Sequence, residues 1–540
     1  MKKIAILILP LFIFLFSNAQ TIGTFTSVQS GAQVPQLILP ATHTFQVLVK
    51  NGDLRTDGLA VMGWHDFTGY IPKGGSSKDG YVLLNEEIGG YSSEGGGGIS
   101  LVRTHFNTTK QLWVVDSINQ INLSALEGTY GNCSGGITPW GTGVSAEEQV
   151  TSTDSNGDGY NKNGWLIEID PLTLKARDFG NGPQKLWAMG CIDHENVAIK
   201  NDGTVAYTGS DNNNNGFAFL YKFVPDVANN LSEGKLYVFK STGTTTGDWI
   251  QVPNTTKPDR NSTNSLAKGL QAKDFGGIED VEIGPDGKVY FTEKYTGRVY
   301  RLTDNGADII NFETFVESTN YTVNTDAGQQ VIPWGNGNDN LCFDGEGNLW
   351  VLQDGAGTSL QYNYIWMVRP GHTALSPMVE LFARTPLGCE PTGITFTPDY
   401  KYMFISMQHP SGTNKAKQVD AGGDTVQFNT HTSIVIARKE NLGNIPTSLS
   451  KIQLKDVMTV FPNPVKKGEL LNLAFDVPGI QELDIEVLNI NGAKKVSLHK
   501  TSKKGENIYS ISTDELPSGI YFVTITGSGG FKKNAKITIQ

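Results

Sequence analysis

Basic runs, long apolar stretches and cysteines are all scarce in these 540 residues, and each shortage removes a class of function. No cluster of Lys and Arg interleaved with aromatics is present, and the formal net charge is -11. A nucleic-acid partner is therefore excluded, because nothing would neutralise phosphates along a strand. Beyond Phe16 no segment is long and apolar enough to span a bilayer, so the mature chain is expected to be soluble or attached by other means. No GxSxG and no Ser/His/Asp arrangement is found, which leaves no side-chain nucleophile of the common hydrolase type. The four cysteines, Cys133, Cys191, Cys342 and Cys389, leave two readings open: two disulfides in an exported chain, or a thiolate metal ligand at Cys133.

The acids are plentiful and unevenly placed. Residues 451–540 hold 12 Lys+Arg and 9 Asp+Glu, a net of +3, so the remainder carries -14. Concentrated carboxylates attract cations, and an anionic substrate needs those cations first.

Their placement follows a repeat. With Gly141 as a mark, Cys133 lies eight residues before it and Glu147 and Glu148 six and seven after. The same spacing around Gly203 finds Glu195 and, eight after the mark, Asp211; around Gly287 it finds Glu279 and Glu293, and around Gly347 it finds Asp339 and Asp354. Two looser marks complete the set: Tyr400, with Glu390 ten before, and Gly80, with Glu86 and Glu87 six and seven after but no acid eight before. Each unit reads as strand, tight turn, strand, which returns the two acidic ends to one place. Six such units predict an all-β fold, a six-bladed β-propeller with acids around one mouth of its channel.

Other segments are read in chain order. Lys2 and Lys3, an apolar run from Ile4 to Phe16 and Ser17-Asn18-Ala19 predict a signal peptide over 1–19. The glycine run Gly95 to Gly98 lacks a following helix and is no phosphate loop. Asp154, Asn156 and Asp158 open like a calcium loop, but Trp165 stands where a bidentate Glu belongs; a structural calcium and a polar hairpin loop both remain open. His194 is assigned a place beside the ligands rather than among them, and Gln408 and His409 either hydrogen-bond a substrate or a ligand carboxylate or cap a strand. The polar stretch from Ser241 to Leu270 is expected to be a surface loop. Short alternating strands with Pro-Asn-Pro, Asn-Gly and Pro-Ser-Gly turns predict a small Ig-like β-sandwich over 456–540, joined by a linker over 446–455 to a propeller over 20–445.

Two resemblances add to this. Phe461-Pro462-Asn463-Pro464, Asn491-Gly492 and Leu516-Pro517-Ser518-Gly519-Ile520-Tyr521 resemble the C-terminal sorting domain of type IX secretion cargo. That implies passage across the outer membrane of a Bacteroidota-type bacterium, by way of type IX secretion, to release or surface attachment, while Lys2 and Lys3 suit general secretion for the first step. Asn132-Cys133 with Gly135-Gly136, Thr138 to Thr142, Glu147-Glu148, His194-Glu195-Asn196, Glu279-Asp280, Asp339-Asn340-Leu341, Glu390 with Thr392-Gly393, and Gln408-His409-Pro410 resemble a PhoX-type alkaline phosphatase. The resemblance implies a secreted metal-dependent phosphatase, expected as a monomer, hydrolysing small phosphomonoesters with Fe3+ and Ca2+ around a bridging oxo group.

It further implies metal ligands at Glu87, Cys133, Glu147, Glu148, Glu195, Glu279 and Glu390, with Cys133, Glu279 and Glu390 at the reacting centre. Asn132, His194, Asp211, Asp339, Asn340, Gln408 and His409 are expected to bind substrate or support the ligands. The family's Asn-His-Glu is Asn85-Glu86-Glu87 here, a change expected to bear on the metal complement, and paired arginines for twin-arginine export are missing. The alternatives are a propeller hydrolase using calcium alone, on phosphodiesters, phytate-like esters or lactones, and a non-catalytic surface-binding propeller.

Overall fold

The computed structural model describes residues 21–89, 97–211, 216–355, 362–443, 458–528 and 531–540. The expected signal peptide, the linker and Gly95 and Gly96 lie outside them. The chain divides into two compact units, residues 1–445 and 446–540.

In the larger unit, six antiparallel meanders follow one another among the described residues; the first, second, fifth and sixth are separate four-stranded sheets, and the third and fourth are joined edge to edge in one nine-stranded sheet. Their two leading strands are His65–Pro72 and Asp79–Glu86, Asn132–Ile137 and Gly143–Glu147, Ala198–Ile199 and Ala206–Gly209, Val281–Ile283 and Val289–Glu293, Asn338–Phe343 and Leu349–Gln353, and Glu390–Phe396 and Tyr402–Gln408. These are the hairpins around the six marks. Gly141, Gly203, Gly287 and Gly347 have left-handed backbone, and Tyr400 adopts it at φ 52°. Glycine meets that conformation without a steric cost, which explains its recurrence at the tight turns. Gly80 differs. It lies inside the strand Asp79–Glu86, and the turn is the longer Lys73–Gly75 segment before it.

The sheets pack face to face in sequence, and the last meets the first. One apolar cluster joins Ile71 and Leu83 of the first sheet to Ile167 and Ile169 of the second. Others link the second to the third through Val144 and Tyr221, the third to the fourth through Tyr207 and Phe291, and the fourth to the fifth through Tyr290 and Trp366. Trp350 and Ile405 join the fifth to the sixth, and Phe404 and Tyr70 join the sixth to the first. Both faces of each sheet are therefore covered, and the strand Tyr402–Gln408 is buried at every residue. Such strands read as continuous apolar runs rather than as alternation. The ring closes through hydrogen bonds between strands far apart in sequence, because His43–Lys50, from the start of the chain, pairs with Thr432–Arg438 of the sixth sheet.

The stretch expected to be a surface loop is largely ordered secondary structure. Gly247–Val252 is a fifth strand on the third sheet, and Gly247 and Asp248 also pair with Ile309 and Asp308 of the fourth. Two short helices follow, Lys257–Asn261 and Thr263–Gly269. Thr256 and Asp259 form a reciprocal capping box that starts the first of them.

The smaller unit has a three-stranded and a four-stranded sheet around one core of Leu473, Phe475, Ile485, Val523 and Ile537. Its strand Leu470–Val477 alternates buried and open residues, as expected where one sheet face meets water. No helix among the described residues is long and apolar enough to cross a membrane.

Candidate metal centre

The sheets present acids at the ends of their leading strands. Three overlapping sets of possible ligand atoms each fall within 4.8 Å: Asp66, Glu87 and Cys133; Cys133, Glu148 and Glu195; Glu195, Asp211 and Glu279. Cys133 Sγ lies 3.2 Å from Glu195 Oε2 and 3.8 Å from Asp66 Oδ2. Around these, Asp339 and Glu390 feel the charges of Glu279 and Glu87 respectively, and Asp354 is hydrogen-bonded to Glu390. Gln408 Nε2 donates to Glu87 Oε2 at 2.8 Å, and His409 Nε2 lies 3.6 Å from Glu390 Oε1.

Burial and mutual repulsion push these acids up. Asp66 reaches about 8, first through burial and then through Glu148 and Glu279. Glu87 reaches about 7 through burial and Asp66. Glu148 and Glu195 rise well above the ordinary range, with burial the main cause in each. The Cys133 thiol is likewise pushed well up, by burial and then by Asp66 and Glu195. Without cations the group holds protons.

The donor set fits hard cations with one softer partner. Asp66 Oδ1 and Glu195 Oε1 are buried and have no hydrogen-bond partner. Left so, each costs desolvation energy that a bound cation would offset. Carboxylate oxygens suit Ca2+, and a thiolate among them suits iron.

Several expected site residues face elsewhere. Glu147 turns away from the group: Lys185 Nζ donates to its two oxygens at 2.7 and 2.9 Å, and Thr129 and the Gly164 and Trp165 amides add donors. Successive strand residues point to opposite faces, so Glu147 and Glu148 do not share a site. The same alternation corrects the expectation for Glu86, whose carboxylate accepts from Ser100 Oγ at 2.7 Å within its own sheet while Glu87 points to the acids. Asn132 donates to Thr129 and Ser145 of its own sheet. His194 is held between Thr208 Oγ1 and the Gly190 carbonyl, and burial lowers it to about 4. Asn340 Oδ1 accepts the Gly393 amide at 2.6 Å and so ties the fifth sheet to the sixth.

The four cysteines are all free thiols. In the Asp154 loop the Asp154 carboxylate accepts the Gly157 and Gly159 amides, and the Lys257 ammonium donates to the Asp158 carbonyl, the arrangement of a polar loop tied to a helix. A cavity of about 1000 Å³ opens at the turn ends of the sheets, lined by Ser134, Glu282, Cys342 and Tyr400.

Two residues at the acidic end escaped the sequence reading. Asp66 is the first sheet's counterpart of Cys133, displaced in register by the longer Lys73–Gly75 turn. Lys294, seven after Gly287, stands where Glu87, Glu148 and Asp354 stand in their units. Its Nζ is 3.0 Å from Glu279 Oε1 and 3.9 Å from Asp354 Oδ2. Glu293, read as the acid of that unit, instead accepts the Thr296 amide.

The family model described as alkaline phosphatase PhoX matches residues 98–411. The chain belongs to the PhoX alkaline phosphatase family. As a PhoX-family protein it is a phosphomonoesterase, and the family implies metal dependence and a phosphate-ester substrate. A secretion system C-terminal sorting domain matches residues 459–540, which implies export to the cell surface or beyond. Pseudomonas fluorescens PhoX, in complex with the transition-state analogue vanadate, is similar in structure, with a TM-score of 0.60 at 21% identity over 77% of this chain and 98% of that one. The virginiamycin B lyase of Staphylococcus aureus, a catalytically inactive form with quinupristin, has a TM-score of 0.32 at 13% identity, covering 73% of this chain and 99% of that one. No curated protein matches the chain. The larger unit is thus propeller-like, and the PhoX-family chain as a whole is mostly β.

Proposed function

We propose that this PhoX-family enzyme is a six-bladed β-propeller over residues 20–445 whose acidic mouth holds Ca2+ and Fe3+ for phosphomonoester hydrolysis. It is followed by an Ig-like sorting domain over 456–540 that directs it through type IX secretion. The observation that carries the metal reading is the run of three ligand sets sharing Cys133 and Glu195. Asp66, Glu87, Cys133, Glu148, Glu195, Asp211 and Glu279 would hold the cations, with Asp339 and Glu390 beside them. Bound cations supply positive charge to the phosphoryl oxygens and acidify the attacking water, which is the help this ester bond needs.

The chain's own groups set the geometry. Asn85 Nδ2 donates to the Cys133 and Ser134 carbonyls at 2.7 and 2.9 Å, fixing the backbone that carries the thiol. Gln408 orients Glu87, and His409 stands over Glu390 with its ring edge-on to Trp64 at 4.7 Å between centroids. Such outer contacts hold ligands in place between turnovers.

The test is elemental analysis of the secreted protein, with 4-nitrophenyl phosphate hydrolysis assayed before and after chelation. Iron and calcium together, with activity lost on chelation, are expected. Calcium without iron in fully active protein would sink the iron assignment, and activity indifferent to chelation would sink the metal reading.

A further inference from the structure

At the place where the second strand of each hairpin ends, the first, second and fifth sheets carry Glu87, Glu148 and Asp354, and the third carries Asp211. The fourth carries Lys294, a reversal of charge at one position of a repeat. Its ammonium is within ion-pair reach of Glu279 of the fourth sheet and Asp354 of the fifth.

Its side chain reaches nearer to solvent than that of its near partner. The Lys294 side chain is 28% exposed, whereas that of Glu279, its near partner, is 4% exposed. One contact at 3.0 Å and one at 3.9 Å engage an ammonium that has three donors. A phosphate monoester arriving from solvent is an anion entering a mouth ringed by acids, and Lys294 is the positive group it would reach among the residues described at that end. When Glu279 takes up a cation it has less need of the ammonium, and the flexible four-carbon stem lets that ammonium turn outward.

We propose that Lys294 binds a phosphoryl oxygen of the phosphomonoester at the acidic mouth. The role rests on the phosphatase reading of the same site. It makes Lys294 a substrate-binding residue rather than a permanent counter-ion for Glu279.

Calorimetric titration of inorganic phosphate into metal-loaded protein tests this, with metal content measured on every sample. Lys294→Met is expected to weaken phosphate binding by about tenfold or more, the scale of one charge-assisted hydrogen bond, and Lys294→Arg to stay within about threefold of the parent. The KM for 4-nitrophenyl phosphate should rise in Lys294→Met with metal content unchanged. Parent-like phosphate binding in Lys294→Met would overturn the proposal, as would an extra bound cation in that variant without weaker phosphate binding. Joint loss of metal and phosphate would also overturn it, by assigning Lys294 to the support of the ligands. A folded, metal-loaded parent that binds no phosphate would overturn the phosphatase reading itself, and the proposal with it.

Discussion

Cys133 Sγ and Glu195 Oε2 stand 3.2 Å apart, brought together from the leading strand of the second sheet and the segment before the third. Burial and the acids around it hold the thiol well above its ordinary range, so in metal-free protein it is protonated and a poor nucleophile. Cys133→Ser should therefore leave the fold intact, abolish any iron-thiolate absorption and lower activity by at least about 100-fold, more than the loss of an outer contact to a ligand costs. Rapid alkylation of Cys133 in chelated protein at neutral pH would contradict this, because it would require a thiolate without a cation.

Glu147 and Glu148 should separate stability from chemistry. Glu147 is wholly buried on Lys185, so Glu147→Gln leaves an ammonium short of its counter-charge and should cost about 3 kcal/mol by denaturant unfolding with metal content retained. Glu148→Gln should lose metal and activity with little change in the stability of the chelated protein. The opposite pattern would mean that the two side chains have exchanged roles.

How much of this was legible follows from the geometry of strands and turns. The minus-eight place found Cys133, Glu279 and Asp339 because their hairpins share one turn length; the third hairpin turns through one residue more, which leaves Glu195 at minus eight and moves Asp211 to plus eight. Asp66 was invisible to the same spacing because the first hairpin turns through Lys73–Gly75. Glu147 was named with Glu148 because adjacent acids in a sequence do not announce which face each takes, and in a sheet covered on both sides apolar alternation does not decide it. Lys294 breaks the acidic pattern by its charge, although its register matches that of Glu87, Glu148 and Asp354. The two helices within 241–270 were hidden by a polar composition that suits both a loop and a capped surface helix.

Asn340 offers a test of what holds the ring. Its side chain accepts the buried Gly393 amide, and Gly393 is itself left-handed at φ 53° against the backbone of Phe67 and Thr68. Asn340→Ala would leave that amide unsatisfied, which should cost about 1–3 kcal/mol of stability. Activity and metal content at 25 °C should be unchanged, checked on the same preparation used for thermal unfolding. A loss of activity with stability intact would return Asn340 to the substrate side of the site.

The raised acids make the chelated protein's stability fall as pH rises. In the unfolded chain Asp and Glu titrate near about 4, whereas in the folded metal-free protein Asp66 and Glu279 titrate at about 8 and Glu87 at about 7. The folded state thus binds more protons across that interval, and its advantage is complete below the unfolded values and lost as pH climbs through the folded ones. Cations that neutralise the group remove the penalty, and they compete better as the protons leave. Thermal unfolding in chelator should show a melting temperature several degrees lower at pH about 9 than at pH about 6, and added calcium should raise it more at the higher pH. A melting temperature in chelator that is flat or rising over this range would show that the acids do not carry their protons in the folded state, and that the mouth is already neutralised by something other than a removable cation.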